Sequence, residues 1–210
     1  MIFKDRHEAG QQLAKELSKY KNKKDVIVLG IPRGGVEVAF NIAKTLKVPL
    51  SIIVTKKISH PHESEFAIGA VSPGNYIIDE NYAGEADEDY IEDTINEMNA
   101  EIKRLYKEYT RGKLPQLKNK IAIIVDDGLA TGYTMLAAIK YIKSKNPKKV
   151  IAAIPVSAQD SYEKVKAIVD EVVCLQVPIF FSAVGSFYQD FTQLEDEEVK
   201  YYLGEAKKYT

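Results

Sequence analysis

One stretch of the 210-residue sequence combines residue types and spacing into a chemical device: Ile121-Ala122-Ile123-Ile124-Val125-Asp126-Asp127-Gly128-Leu129-Ala130-Thr131-Gly132-Tyr133-Thr134-Met135. An apolar run of strand type delivers two adjacent carboxylates to its carboxyl end. A turn of small residues follows, with two glycines and two threonines, and then a helical pattern begins. Glycines let backbone approach a ligand, and successive N–H groups at a helix start favour a phosphate. The threonine hydroxyls can donate to the same anion, while Asp126 and Asp127 can accept from sugar hydroxyls. A phosphate cradle joined to an acidic pair suits a phosphorylated sugar. Competing motifs fit badly. A Walker A loop needs Gly-Lys-Ser/Thr, and here Tyr133 follows Gly132; the G-x-G-x-x-G dinucleotide fingerprint is absent from the stretch.

Two further segments carry charge beside an apolar run. Gly30-Ile31-Pro32-Arg33-Gly34-Gly35 follows Val26–Leu29, and its glycines allow an unusual backbone while Arg33 offers a delocalised cation to a polyanion. Lys56 and Lys57 follow Leu50–Val54. Residues 56–66 lack apolar periodicity and read as a loop. His60 and His62 have no carboxylate or cysteine partner at ligand spacing, and His7-Glu8 lacks the second histidine of H-E-x-x-H, so neither reads as a metal centre.

The elements that must position these groups are legible from periodicity. Ala9, Leu13, Leu17 and Tyr20 mark a first amphipathic helix. Apolar runs at 26–29, 50–54, 121–125, 150–155 and 172–177 read as buried strands, with helices at about 35–46, 134–143 and 162–169. Ser72-Pro73-Gly74-Asn75 fits a tight turn between strands at 67–71 and 76–78. The stripe Ile91, Ile95, Met98, Ile102, Leu105, Tyr109 predicts a long helix over 87–109, able to serve as a dimer seam but more often packed on its own sheet. The last 30 residues read as irregular with a short terminal helix, and Glu195–Glu198 as its solvated start. The pattern is α/β with a mainly parallel, doubly wound sheet in a single domain. Ligands of such sheets bind beyond the carboxyl ends of the strands, which is where all three charged segments fall.

With these residues in place the sequence resembles the type I phosphoribosyltransferases, whose signature is four apolar residues, two acids, a small turn and Thr-Gly. The resemblance implies that Ala130, Thr131, Gly132, Tyr133 and Thr134 hold the 5′-phosphate of phosphoribosyl pyrophosphate, and that Asp126 and Asp127 hold its ribose hydroxyls. It assigns the pyrophosphate to Arg33, Gly34 and Gly35, with Lys56 and Lys57 as neighbouring cations. Asp126, Asp127, Arg33 and Lys57 are then the expected catalytic set. Mg²⁺ is implied as cofactor, held mainly by substrate oxygens and through water by Asp126 or Asp127. Residues 58–66 become the flap that closes over the substrate. Members acting on 6-oxopurines carry an aspartate in place of Ala130; the Ala-Thr-Gly wording looks more like the adenine enzymes, a slight lean to a purine acceptor.

The likeness to one subgroup without an assigned acceptor runs through Phe3, Asp5-Arg6, Ala9-Gly10, Leu13, residues 65–71 and Phe180–Phe191. It implies a hood from about 1–20 and 178–210 over a core of about 22–177. Phe187, Tyr188 and Phe191 could stack on a planar acceptor and Asp190 accept a hydrogen bond from it, or the aromatics could seal the sheet edge. The leading expectation is a transferase that moves ribose 5-phosphate from phosphoribosyl pyrophosphate to a nitrogenous base. The alternative is a regulatory protein that senses the donor without turning it over.

Composition narrows the setting. Lys and Arg total 29 against 30 acids, a net charge of −1, which builds no basic field for nucleic acid. The apolar runs are far shorter than a membrane span needs. One cysteine and a charged N-terminus without an apolar signal core point to the cytoplasm. A homodimer stays open.

Overall fold

The computed structural model describes residues 2–79, 81–82 and 87–209. In chain order the elements are α1 (Arg6–Glu16), β1 (Val26–Gly30), α2 (Gly34–Leu46), β2 (Leu50–Ile52), β3 (Lys56–His60), β4 (Glu63–Ser72), β5 (Asn75–Ile78), α3 (Glu88–Thr110), β6 (Ile121–Val125), α4 (Tyr133–Lys143), β7 (Lys149–Val156), α5 (Gln159–Lys166), β8 (Glu171–Gln176) and α6 (Asp196–Ala206). β1, β2, β6, β7 and β8 form one parallel sheet in the order β2-β1-β6-β7-β8. The chain leaves β1 toward β2, then returns to the other side of β1 to place β6. The strand order therefore reverses between β1 and β6, and a crevice opens there beyond their carboxyl ends.

Both faces of this sheet are covered, so its strands are apolar throughout; all five residues of β6 are buried. On one face Leu13, Leu17 and Tyr20 pack with Val38, Ile42 and Leu46 of α2 against Val28 and Ile123. On the other, Met135, Ile139 and Ile142 of α4 meet Leu29, Ile124 and Ile154. Within the segment expected to join the hood, Leu13, Leu17 and Tyr20 pack in this core, whereas Ala9 packs with Phe3 and Tyr188.

Residues 56–66 correct the loop expectation. β3 pairs antiparallel with β4, and β4 with β5, making a separate three-stranded sheet. Register shifts on either side of Ser59 break the alternation that would have marked β3, leaving only Ile58 fully buried. The turn at Ser72–Asn75 joins β4 to β5, with Gly74 at φ 70°. α3 spends its stripe within the chain. Ile102, Leu105, Tyr106 and Tyr109 pack on Ile58, Ile68 and Val71 and on Val199 and Leu203 of α6. The tail is more ordered than its composition suggests. α6 starts with a reciprocal cap in which Glu195 and Glu198 serve each other's backbone N–H groups. No described helix is long and apolar enough to cross a membrane.

Candidate active site

The loop after β6 is fastened from below. Leu129 N–H donates to the Val156 carbonyl and Ala158 N–H to that of Leu129, both at 2.9 Å, while the Ser161 hydroxyl donates to Ala130 O. Gly132 at φ 77° then turns the chain into α4. That turn leaves Ala130 and Thr131 exposed, Thr134 half-buried, and the first N–H groups of α4 pointing out of the helix end without intrahelical partners. Tyr133 behaves differently from its neighbours. Its ring is buried and its hydroxyl donates to Asp79 Oδ2 at 2.5 Å, so its side chain is spent within the fold and only its backbone faces the loop.

Gly34 and Gly35 are glycines for a reason other than backbone freedom. Neither is among the residues with positive φ. A Cβ on Gly34 would overlap the Asp127 carboxylate, and one on Gly35 would lie 2.7 Å from Val125 O and 2.9 Å from Asp126 Cα. The loop after β1 and the acidic pair after β6 therefore interlock, and only glycine fits between them. The Pro32–Arg33 peptide just before is cis.

The cations separate. Arg33 Nη1 donates to Glu195 Oε2 at 3.0 Å, with Asp196 at 3.9 Å. Arg33 and Lys56 border one cavity of about 230 Å³ with Pro32, Thr55, Glu101 and Asp196. Lys56 lies 3.5 Å from Glu101, whose carboxyl Arg104 holds down to about 2. Thr55 Oγ1 is buried there without a partner among the described residues. Lys57, the next residue along β3, is exposed on the other face of the strand. The structure brings Arg33 and Lys56 together and sets Lys57 apart. His60 and His62 stack edge to face at 5.7 Å on the hairpin. The described residues hold no cluster of three or more histidine, cysteine or acidic side chains suited to a metal.

Arg6, outside every segment assigned to the site from the sequence, reaches the acidic pair. It is 6% exposed, donates from Nε to Asp127 Oδ2 and from Nη1 to Thr192 O, each at 2.8 Å, and lies 3.9 Å over the Phe191 ring. One local signal marks it. Asp5 caps α1 by accepting from Glu8 N–H, so Arg6 is the first helical residue, where the helix dipole disfavours a cation. A partner elsewhere is then required. Tyr188 completes the clamp: its hydroxyl donates to Asp127 O at 2.6 Å, and its buried ring sits between Phe3 and Phe191. Phe187 is half-buried and stacks on Phe181, and exposed Asp190 accepts from Thr192 N–H and Oγ1.

Burial drives the charge state of the acids. It pushes Asp126 well above the ordinary carboxylate range, and neighbouring Asp127 pushes it further. Asp127 is also raised by burial, with the Arg6 guanidinium working against the rise.

The reversal point of the sheet thus carries the start of α4, an acidic pair and, interlocked with that pair, the glycines that follow Arg33. The chain matches the phosphoribosyl transferase domain model over residues 3–192, and it belongs to that family. It is 38% identical over 99% of its length to a Mycobacterium tuberculosis protein provisionally named a phosphoribosyl transferase, Rv0571c. It spans 47% of that relative's length. Among solved structures, TT1426 from Thermus thermophilus is 36% identical, with 98% of this chain and 99% of that one covered and a TM-score of 0.81. AQ2163 from Aquifex aeolicus shares the fold at 18% identity and a TM-score of 0.50, over 80% of this chain and 71% of that one.

Proposed function

We propose that the protein transfers ribose 5-phosphate from phosphoribosyl pyrophosphate to a nitrogenous base and releases pyrophosphate. The observation that carries this reading is the interlock of Gly34 and Gly35 with Asp126 and Asp127, which joins a polyanion loop to a sugar-binding acid pair. In this reading the backbone of residues 130–134 and the threonine hydroxyls hold the 5′-phosphate. Asp126 and Asp127 accept from the ribose hydroxyls and fix the sugar. Arg33 and Lys56 balance charge as pyrophosphate departs. Arg33 first exchanges Glu195 for the phosphate oxygens. The β3–β4 hairpin, with Lys57 on it, closes over the donor and keeps water from the oxocarbenium-like ribose. Phe187 and Asp190 border the acceptor, whereas Tyr188 and Phe191 are engaged in the clamp on Asp127.

The two carboxylates are hard oxygen donors that suit Mg²⁺ held largely by the substrate, with Asp126 or Asp127 reaching it through water. When bound, the ion supplies charge neutralisation at the pyrophosphate.

The test is pyrophosphate release from phosphoribosyl pyrophosphate and Mg²⁺ with a panel of purine and pyrimidine bases. Release with one base supports transfer. Saturable donor binding without turnover supports the sensor instead, and no donor binding by folded protein overturns both. The Asp126→Asn, Asp127→Asn double variant is expected to remain folded by circular dichroism while its donor affinity collapses in calorimetry.

A further inference from the structure

We infer that Arg6 is a positioning residue for sugar recognition, acting by holding the Asp127 carboxylate in its ligand-ready orientation. The inference rests on the donor reading above. Arg6 takes one oxygen of Asp127, Oδ2, and no hydrogen bond from a described residue reaches the other, Oδ1. A carboxylate held by one oxygen keeps a fixed plane and presents the second oxygen to a hydroxyl. The Asp127 side chain is 17% exposed and that of Arg6 7%, so bulk water does little to weaken the pair.

The anchor behind Asp127 is itself fixed. The Arg6 fork is committed to the Thr192 carbonyl, and its flat face rests on Phe191. Three simultaneous engagements need a planar, multiply donating cation. An ammonium group could supply the charge but neither the fork nor the stacking face. The segment bearing Thr192 and Phe191 is the same one whose Tyr188 grips the Asp127 carbonyl. Asp127 is therefore held at its side chain from the N-terminal segment and at its backbone from the tail. Among the described residues Asp126 has no such external clamp; its Oδ1 accepts from the Asp127 N–H at 2.9 Å. The two acids are not equivalent, and Arg6 sets the difference.

A role confined to the sugar separates from a general effect on the fold through the choice of ligand. Wild type, Arg6→Lys and Arg6→Gln are titrated calorimetrically with phosphoribosyl pyrophosphate and with inorganic pyrophosphate, both with Mg²⁺. Folding is checked by near-ultraviolet circular dichroism. Both variants are expected to bind the donor at least about tenfold more weakly, the loss of one charge-assisted contact. Pyrophosphate, which has no ribose, is expected to bind all three proteins alike. If Arg6→Gln fails to fold, Arg6→Lys carries the comparison. Unchanged donor affinity, or an equal loss for both ligands, overturns the role of Arg6 and leaves the transferase reading standing. Wild type that binds no donor overturns the transferase reading and the inference with it.

Discussion

Burial raises both Asp126 and Asp127, but only Asp127 has a cation, Arg6, against its carboxylate. Asp126 is half-buried beside a like charge, and desolvation raises its carboxyl above its value in the unfolded chain. Its ionised form at neutral pH therefore destabilises the fold, and the loss is relieved as pH falls through the raised pKa. Asp126→Asn removes the charge and keeps an oxygen for the Asp127 N–H, so the melting temperature is expected to rise. At this chain length each kcal/mol moves it by about 2–4 °C. Asp127→Asn strips Arg6 of its counter-charge, a loss of the kind that costs about 3–5 kcal/mol when fully buried and less here, so melting is expected to fall. Calorimetric scans of the two single variants check both directions. If the acids hold the ribose as proposed, donor binding needs them ionised, so affinity is expected to decline as pH drops from neutral, measured by titration at constant ionic strength. Glu101, bound by Arg104, and Glu171, where Lys149, Lys19 and Tyr20 outweigh burial, are both held down to about 2, so their support is lost only as pH falls toward that value. The acid pair was legible because strand, acids and turn are contiguous. The clamp on it was not, since Arg6 lies 121 positions from Asp127 and periodicity reports only local neighbours.

At the scale of elements, the sheet was readable because parallel strands buried on both faces are uninterrupted apolar runs, as in Ile121–Val125. β3 was hidden by its register shifts, and its identity depends on β4 rather than on its own pattern. At Gly34 and Gly35 the lack of volume matters, not the conformational range that their glycine identity suggests. Gly35→Ala tests this. The added methyl meets backbone atoms of β6 and Asp126, which cannot rotate away. Overpacking of this kind costs about 1–3 kcal/mol. Denaturant unfolding should register that loss, and donor affinity should fall because the acids are displaced. A variant with wild-type affinity would show that the loops tolerate separation.

For the molecule as a whole, the N-terminal segment and the tail join over the site. Phe3 N–H donates to Phe187 O, Gln189 N–H to Phe3 O, and the fully buried Phe3 ring packs on Tyr188. Phe3→Ala is expected to cost about 3–5 kcal/mol and to loosen residues 184–192. Hydrogen exchange should rise at Gln189 and Asp190, whose N–H groups are held by Phe3 and Lys4, with β6 still protected. This junction was only partly legible: the aromatic tail stood out, but Phe3 as its partner is a contact between distant segments. The interlock of positions 34 and 35 with 126 and 127 reaches further than any one substitution. Effects at these four positions will not add, because each loop is the wall against which the other is shaped. Over generations they can drift only together, so a sequence that alters one loop while keeping the other will be rare among functional descendants.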